Sequence, residues 1–203
     1  MKIAEIFYSI QGEGKYLGTP AVFVRTQGCS AHCPFCDSKP TWQEKGLERD
    51  FVWIEREVNR VGQNKCKTVV ITGGEPTEQK DLYNIVQEFK YAGYTVHLET
   101  NGSHELSGGY FTHIVCSPKE ACGWHVPKSY VDELKYVIST ESDINRMIDP
   151  GIRDQYAGRI WLQPMDECDP AKNEENRKRC VAEALKDPRL RVGLQYHKIL
   201  GVR

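Results

Sequence analysis

The sequence predicts an α/β protein built as a partial (β/α) barrel with mostly parallel strands. Three observations lead there. Apolar, β-branched runs alternate with amphipathic helical stretches across short links, the pattern of parallel strands joined by helical crossovers. About seven strand-like runs stand against three or four convincing helices, too few helices for a complete eight-fold barrel. No repeat, low-complexity stretch or linker divides the chain, so a single domain over residues 1–203 is expected.

Each element has a local reason. Ala21-Val22-Phe23-Val24-Arg25 reads as a strand leading into a cysteine-rich loop. Residues 50–61 read as a helix: Asp50 can cap it, Phe51, Ile54, Val58 and Val61 share one face, and Gly62 can stop it. Thr68-Val69-Val70-Ile71-Thr72 is nearly all β-branched, the mark of a strand buried on both faces. Thr77 is expected to cap the next helix, whose Leu82, Ile85, Val86 and Phe89 recur at helical spacing. Further strands are expected at 94–98, 113–116, 134–139, 159–162 and 190–194. A helix is expected over 173–186, with Val181, Ala184 and Leu185 on its apolar face. The segment 101–112, with Ser107-Gly108-Gly109, reads as a loop.

Composition narrows the function. The 203 residues carry a formal net charge of −1 and are 39% hydrophobic, enough for a real core. So even a balance gives no field for steering toward nucleic acid. The one basic run, Arg177-Lys178-Arg179, lies among Glu174, Glu175 and Glu183 and reads as a solvated helix face. No stretch approaches the roughly 20 apolar residues of a membrane span, and Glu5 comes too early for a signal peptide. A cytoplasmic location, away from membranes, is expected. Of the eight cysteines, three cluster and five are dispersed, which fits a metal site plus ordinary thiols better than a disulfide framework.

The clustered cysteines are Cys29, Cys33 and Cys36, spaced C-x-x-x-C-x-x-C directly after the first strong strand. Reactive groups gather at the carboxyl ends of parallel strands. A structural zinc site wants four ligands, and His32 or a distant cysteine such as Cys66 is the alternative that would complete one. Three thiolates around a [4Fe–4S] cluster instead leave one iron open, able to bind and reduce S-adenosylmethionine (SAM). The spacing, with aromatic Phe35 before the last cysteine, resembles the signature of the radical SAM superfamily. That resemblance implies a barrel of the radical SAM type, with Phe35 near the adenine. A second motif, Thr72-Gly73-Gly74-Glu75-Pro76, ends the buried strand. Paired glycines let a ligand approach the backbone and permit positive φ, and Glu75 offers an anion to an ammonium group. The motif resembles the one that binds the amino group of SAM in that superfamily.

Three further segments speak to the substrate. Gln11 and Glu13, in Ile10-Gln11-Gly12-Glu13-Gly14, suit the amide and amine edge of a pterin or purine. Arg25 suits bidentate capture of a carboxylate, or else a strand-edge ion pair. Asp37-Ser38 offers oxygens for Mg²⁺, which takes few protein ligands and keeps waters or substrate oxygens. Together these resemble the 7-carboxy-7-deazaguanine synthase family. The match extends to Glu99-Thr100-Asn101-Gly102, Ser117-Pro118-Lys119, Gln163-Pro164-Met165 and Gln195-Tyr196-His197-Lys198.

The resemblance implies a radical SAM lyase that converts 6-carboxy-5,6,7,8-tetrahydropterin to 7-carboxy-7-deazaguanine with loss of ammonia, for queuosine-type 7-deazapurine biosynthesis. It implies that Ile10, Gln11, Gly12, Glu13, Arg25, Thr72 and the terminal Arg203 hold the pterin. Phe35, Cys36, Asp37, Gly73, Gly74, Glu75, Ser117, Pro118, Lys119 and Gln163 would hold SAM. Cys29, Cys33 and Cys36 would hold the cluster and Ser38, where the family usually has Thr, the Mg²⁺. A SAM-derived radical starts the reaction, so no side-chain general base is expected for the first step. A flavodoxin or ferredoxin reductant and a homodimer are expected as partners. Two other readings stay open on the residues alone: an activase for a glycyl-radical protein, and a non-catalytic iron–sulfur or zinc module.

Overall fold

In a computed structural model, which describes residues 1–203 apart from Glu44, Gly108 and Tyr130, the chain forms one eight-stranded sheet. The strands are β1 (Ile3–Ile10), β2 (Pro20–Thr26), β3 (Thr68–Gly73), β4 (Thr95–Thr100), β5 (His113–Cys116), β6 (Glu133–Ile138), β7 (Ile160–Pro164) and β8 (Leu190–Val192). They lie in sequence order. β1 runs antiparallel to β2, and every later pair is parallel. The sheet is not closed by a β8–β1 ladder. It is a partial barrel, as expected, with one more strand than the sequence pattern suggested. β1 escaped because its burial is uneven and it carries Glu5 and Ser9, so neither a continuous apolar run nor a clean alternation marks it.

The main helices are α1 (Phe51–Val61), α2 (Leu82–Tyr91) and α5 (Pro170–Lys186), with short α3 (Ile144–Met147), α4 (Pro150–Gln155) and α6 (Tyr196–Leu200). Asp50 caps α1 by accepting from the Trp53 amide at 2.9 Å, as its position predicts. Thr77 does not cap α2. It sits in a 3₁₀ turn at Pro76–Glu78, and α2 starts later, after Asp81. The Thr77 hydroxyl donates instead to Glu75. The expected face of α5 is only partly buried: Ala184 packs against the core, but Val181 is 46% and Leu185 82% exposed, and Asn176 and Cys180 are buried instead. Asn176 turns inward because its amide donates to the Met165 carbonyl and Glu167 while its oxygen accepts from the Thr140 amide. The basic run of α5 is the solvated face foreseen, with Arg177 and Lys178 paired to Glu174 and Arg179 to Glu183. The 101–112 loop includes Gly108, which lies outside the described residues.

Alternation along the strands separates two environments. Val22, Val24, Val69, Ile71, Val96 and Leu98 on one side, with their counterparts Leu134, Ile138, Ile160 and Leu162, pack under the helices in two apolar clusters. The intervening residues, among them Arg25, Thr72, His97, Glu99, His113, Glu133, Lys135 and Gln163, face the other way. That second face is curled into a lumen, because Gln11 and Glu13 of the loop after β1 reach β4 and β6 across it. No helix is long and apolar enough to cross a membrane among the described residues.

Candidate active site

The site is built from both ends of the lumen. At the carboxyl ends of the strands lies the cysteine loop that follows β2. Gly73, at φ +125°, is wedged against the backbone of Thr26. A Cβ on Gly74 would collide with the Gly28 carbonyl, so only glycine fits where the β3 loop meets the cysteine loop. Backbone bonds lock that meeting: the Gly74 amide donates to Thr26 O at 3.0 Å and the Glu75 amide to Gly28 O at 2.8 Å. The loops after β4 and β5 close in as well. The Asn101 amide group stands 4.0 Å from the Cys29 sulfur, and the Lys119 ammonium lies 5.8 Å from the Phe35 ring centre. Four strand ends thus frame one loop bearing three free thiols.

The thiols fit a cluster better than a single ion. Cys33 is buried and Cys29 and Cys36 are half-buried. Among the described residues no three His, Cys, Asp or Glu side chains converge to hold one metal ion. A zinc knuckle needs such convergence on a point. An iron–sulfur cube does not, since each cysteine takes a different iron. Burial pushes the Cys29 and Cys33 thiols above the ordinary cysteine range, with Glu78 and Glu75 adding to the shift at Cys29 and Cys36 and Cys122 at Cys33. Cluster binding must therefore displace their protons. An unused acceptor lies at the same end: Gln163 is 5% exposed, and its Oε1 is buried with no donor among the described residues. Ser117 is held by a bond from its hydroxyl to the Lys135 carbonyl at 2.8 Å and receives the Lys119 ammonium at 2.5 Å. Burial, and then the charge of Lys135, depress the Lys119 ammonium below the ordinary lysine range. Pro118 is buried between them.

Glu75 is placed differently from a freely reaching anion. It is fully buried and accepts four bonds: from the Thr77 amide (3.0 Å) and hydroxyl (2.7 Å), the Thr100 hydroxyl (2.6 Å) and the Asn101 amide (2.6 Å). Burial raises its pKa even so. The carboxylate braces the β3 loop to the β4 loop, and the glycine backbone is left to face a ligand.

At the opposite end, β1 runs against the parallel strands, so the loop after Ile10 emerges where those strands begin. It folds back into the lumen as a floor. Gln11, 8% exposed, donates to Glu99 at 3.2 Å. Glu13 receives the Lys135 ammonium at 2.5 Å and the Gln195 amide group at 3.1 Å, and Lys135 also reaches Glu99 at 3.2 Å. Burial alone would lift the Glu13 carboxyl, but Lys135, Gln195 and His197 outweigh it and hold it below the ordinary value. Glu99 rises, because burial and the neighbouring Glu13 outweigh Lys135. Lys135 is held above the usual lysine value: burial alone would lower it, but the two carboxylates more than reverse that. The Gly12 carbonyl accepts from the Tyr196 amide, and the His197 ring leaves no room for a Cβ on Gly12.

Arg25 and Thr72 are register partners on β2 and β3, in the wall between cysteine loop and floor. The Arg25 Nε donates to Glu5 at 2.7 Å and its Nη1 to the Ser38 hydroxyl at 3.0 Å, while Ser38 donates to Asp37 at 3.0 Å. The strand-edge ion pair posed for Arg25 is present, and its Nη2 has no hydrogen-bond partner among the described residues. Asp37 and Ser38 supply the hard oxygens Mg²⁺ prefers. Arg203 does not enter the lumen through its side chain. Its guanidinium pairs with Glu5 and lies 4.7 Å from the Phe7 ring centre, and its terminal oxygen accepts from Ser9 at 2.5 Å.

Three residues escaped sequence reasoning. Lys135 was unforeseen, and Glu99 and His197 stood only within matched segments. The available signal was Glu133-x-Lys135 in a strand whose Leu134 and Tyr136 are buried: two charges at period two face something other than solvent.

This arrangement is that of a radical SAM domain, and the sequence profile of the radical SAM superfamily matches residues 23–107. A 7-carboxy-7-deazaguanine synthase of Synechocystis sp. is 37% identical over 99% of this chain and 93% of its own length. One from Aquifex aeolicus is 35% identical over 90% of this chain and 81% of its own. The crystal structure of QueE from Escherichia coli superposes with a TM-score of 0.76 at 27% identity, covering 97% of this chain and 94% of that one. The chain belongs to the 7-carboxy-7-deazaguanine synthase family.

Proposed function

We propose that residues 1–203 act as one radical SAM domain that converts 6-carboxy-5,6,7,8-tetrahydropterin to 7-carboxy-7-deazaguanine with loss of ammonia. The family's cofactors are a [4Fe–4S] cluster, SAM and Mg²⁺. The observation that carries the reading is the folded-in floor: Gln11 and Glu13 are fixed by Glu99 and Lys135 inside the lumen that the cysteine loop covers.

When bound, the cluster and SAM supply the radical that removes hydrogen from the substrate carbon bearing the carboxylate. Cys29, Cys33 and Cys36 hold the cluster. Phe35, Asp37, Gly73, Gly74, Ser117, Pro118, Lys119 and Gln163 line the SAM site, with Glu75 bracing it from beneath. Gln11, Gly12 and Glu13 present backbone and side-chain groups to the pterin edge, and Ile10 and Thr72 border it. Arg25 turns its free Nη2 toward the carboxylate. Ser38 and Asp37 would offer oxygens to Mg²⁺, and Ser38 also accepts from the Arg25 Nη1. The contribution of these groups is positioning and fixed charge.

A homodimer, a cytoplasmic location and a flavodoxin or ferredoxin donor complete the reading. The test is anaerobic turnover of reconstituted protein with the reduced carboxypterin, SAM and Mg²⁺, followed by mass spectrometry. Product formed without a protein partner supports it and excludes an activase. Full cluster loading with no deazaguanine product refutes it.

A further inference from the structure

Beneath the floor loop lies a second polar layer that the proposed chemistry does not use: buried His97, His113 and Glu133, with half-buried Tyr16 and Trp161. Tyr16 packs against both histidines, tilted on His97 and edge-on to His113, with ring centres 4.4 and 4.8 Å away. We propose that Glu133 is a positioning residue that fixes the Gly12-Glu13-Gly14 turn from below and so sets the pterin-binding geometry. The inference rests on the reading that this loop holds the pterin.

Glu133 is 4% exposed and neighbours Lys135 on the same face of β6. Its Oε2 accepts from the Lys15 backbone amide at 3.0 Å and lies 3.3 Å from His113 Nε2. Its Oε1 accepts from Trp161 Nε1 at 3.0 Å. The turn presses directly on the carboxylate: a Cβ on Gly14, at φ +68°, would stand 2.6 Å from Oε2. β6 thus grips one loop twice, Lys135 through the Glu13 side chain and Glu133 through the backbone two residues on. Burial would lift the Glu133 carboxyl, but His113, Lys15 and Trp161 outweigh it and hold it below its ordinary value. It therefore stays an acceptor at neutral pH. No substrate atom need touch it, because its effect passes through the turn.

Glu133→Gln is the diagnostic change. Both oxygens already face N–H donors, so whichever way the amide lies, its NH₂ meets a donor and one bond is lost. The expected result in reconstituted protein is a KM for the carboxypterin raised about tenfold or more, the scale of a hydrogen bond to a charged group. Iron content and the response of the reduced-cluster spectrum to SAM should stay unchanged. Amide hydrogen exchange should quicken over 11–19 and not over 82–91. Trp161→Phe, which removes one donor and keeps the carboxylate, should shift KM in the same direction by less. A pterin KM within twofold of wild type in both variants overturns the proposal. So does unchanged exchange over 11–19, which decides the matter even if wild type fails to turn over the pterin and the substrate reading falls.

Discussion

Lys135 is the most consequential single side chain for the floor, and Lys135→Met measures it. Its ammonium serves two buried carboxylates, Glu13 at 2.5 Å and Glu99 at 3.2 Å, whose side chains are 14% and 17% exposed. Removing the cation of a buried ionic group strands the remaining charge, at a cost of about 3–5 kcal/mol. With a urea slope of about 3 kcal/mol per molar, the midpoint should fall by about 1–1.7 M. The pH dependence carries a sign. In the wild type Glu13 lies below its ordinary value, so its contribution is present at neutral pH and lost only as pH falls through that lowered value. Without Lys135, burial raises both carboxyls above their unfolded values. Stability is then lost as pH rises through the raised values, so the deficit should be larger at pH 8 than at pH 6. The assay is urea unfolding of reconstituted protein under anaerobic conditions, followed by far-ultraviolet circular dichroism at both pH values. Neutralising all three groups, in the Glu13→Gln, Glu99→Gln, Lys135→Met variant, should recover most of the loss. A midpoint shift below about 0.3 M would refute the reasoning, and so would an equal shift at both pH values without recovery in the triple variant.

Three other outcomes are expected. Arg25→Ala should lower kcat/KM for the carboxypterin by at least about tenfold, a loss of at least about 1.5 kcal/mol, and steady-state kinetics showing wild-type efficiency would remove Arg25 from the substrate site. Gly74→Ala should force the β3 loop off the Gly28 carbonyl and lower iron per protein after reconstitution, as read by metal analysis. Glu75→Gln should destabilise by about 2 kcal/mol or more, because its amide must point a donor at Thr77 and Thr100 or at the Asn101 amide; a thermal unfolding midpoint within a degree of wild type would contradict this.

Much of the architecture was legible because its signals are local. Thr68-Val69-Val70-Ile71-Thr72 reads as a buried strand and forms one, and the ends of α1 follow from Asp50 and Gly62. The cysteine spacing and the paired glycines mark the ligand end, since those residues meet their partners through backbone geometry. Long-range polar pairing was not legible. Asn176 carries no apolar signal and is nonetheless buried, because its partners lie at Thr140 and Met165. Lys135 lies in the strand expected at 134–139, but its partner is not visible there: it pairs with a loop 122 residues earlier that enters the lumen. Glu75 shows the converse: its motif is plain in sequence, yet whether its carboxylate faces a ligand or braces two loops depends on Thr100 and Asn101, which periodicity does not relate to it.

The floor joins the two ends of the chain: Gln195 reaches Glu13 across 182 residues, and the Tyr196 amide closes on Gly12. Contacts so remote in sequence form slowly, because a long loop must close before they return any free energy. A nascent chain therefore exposes its thiol-bearing loop well before the segment that seals the cavity has been synthesised. The order of synthesis thus leaves closure of the floor, through Gln195 and Tyr196, among the last contacts the chain can make.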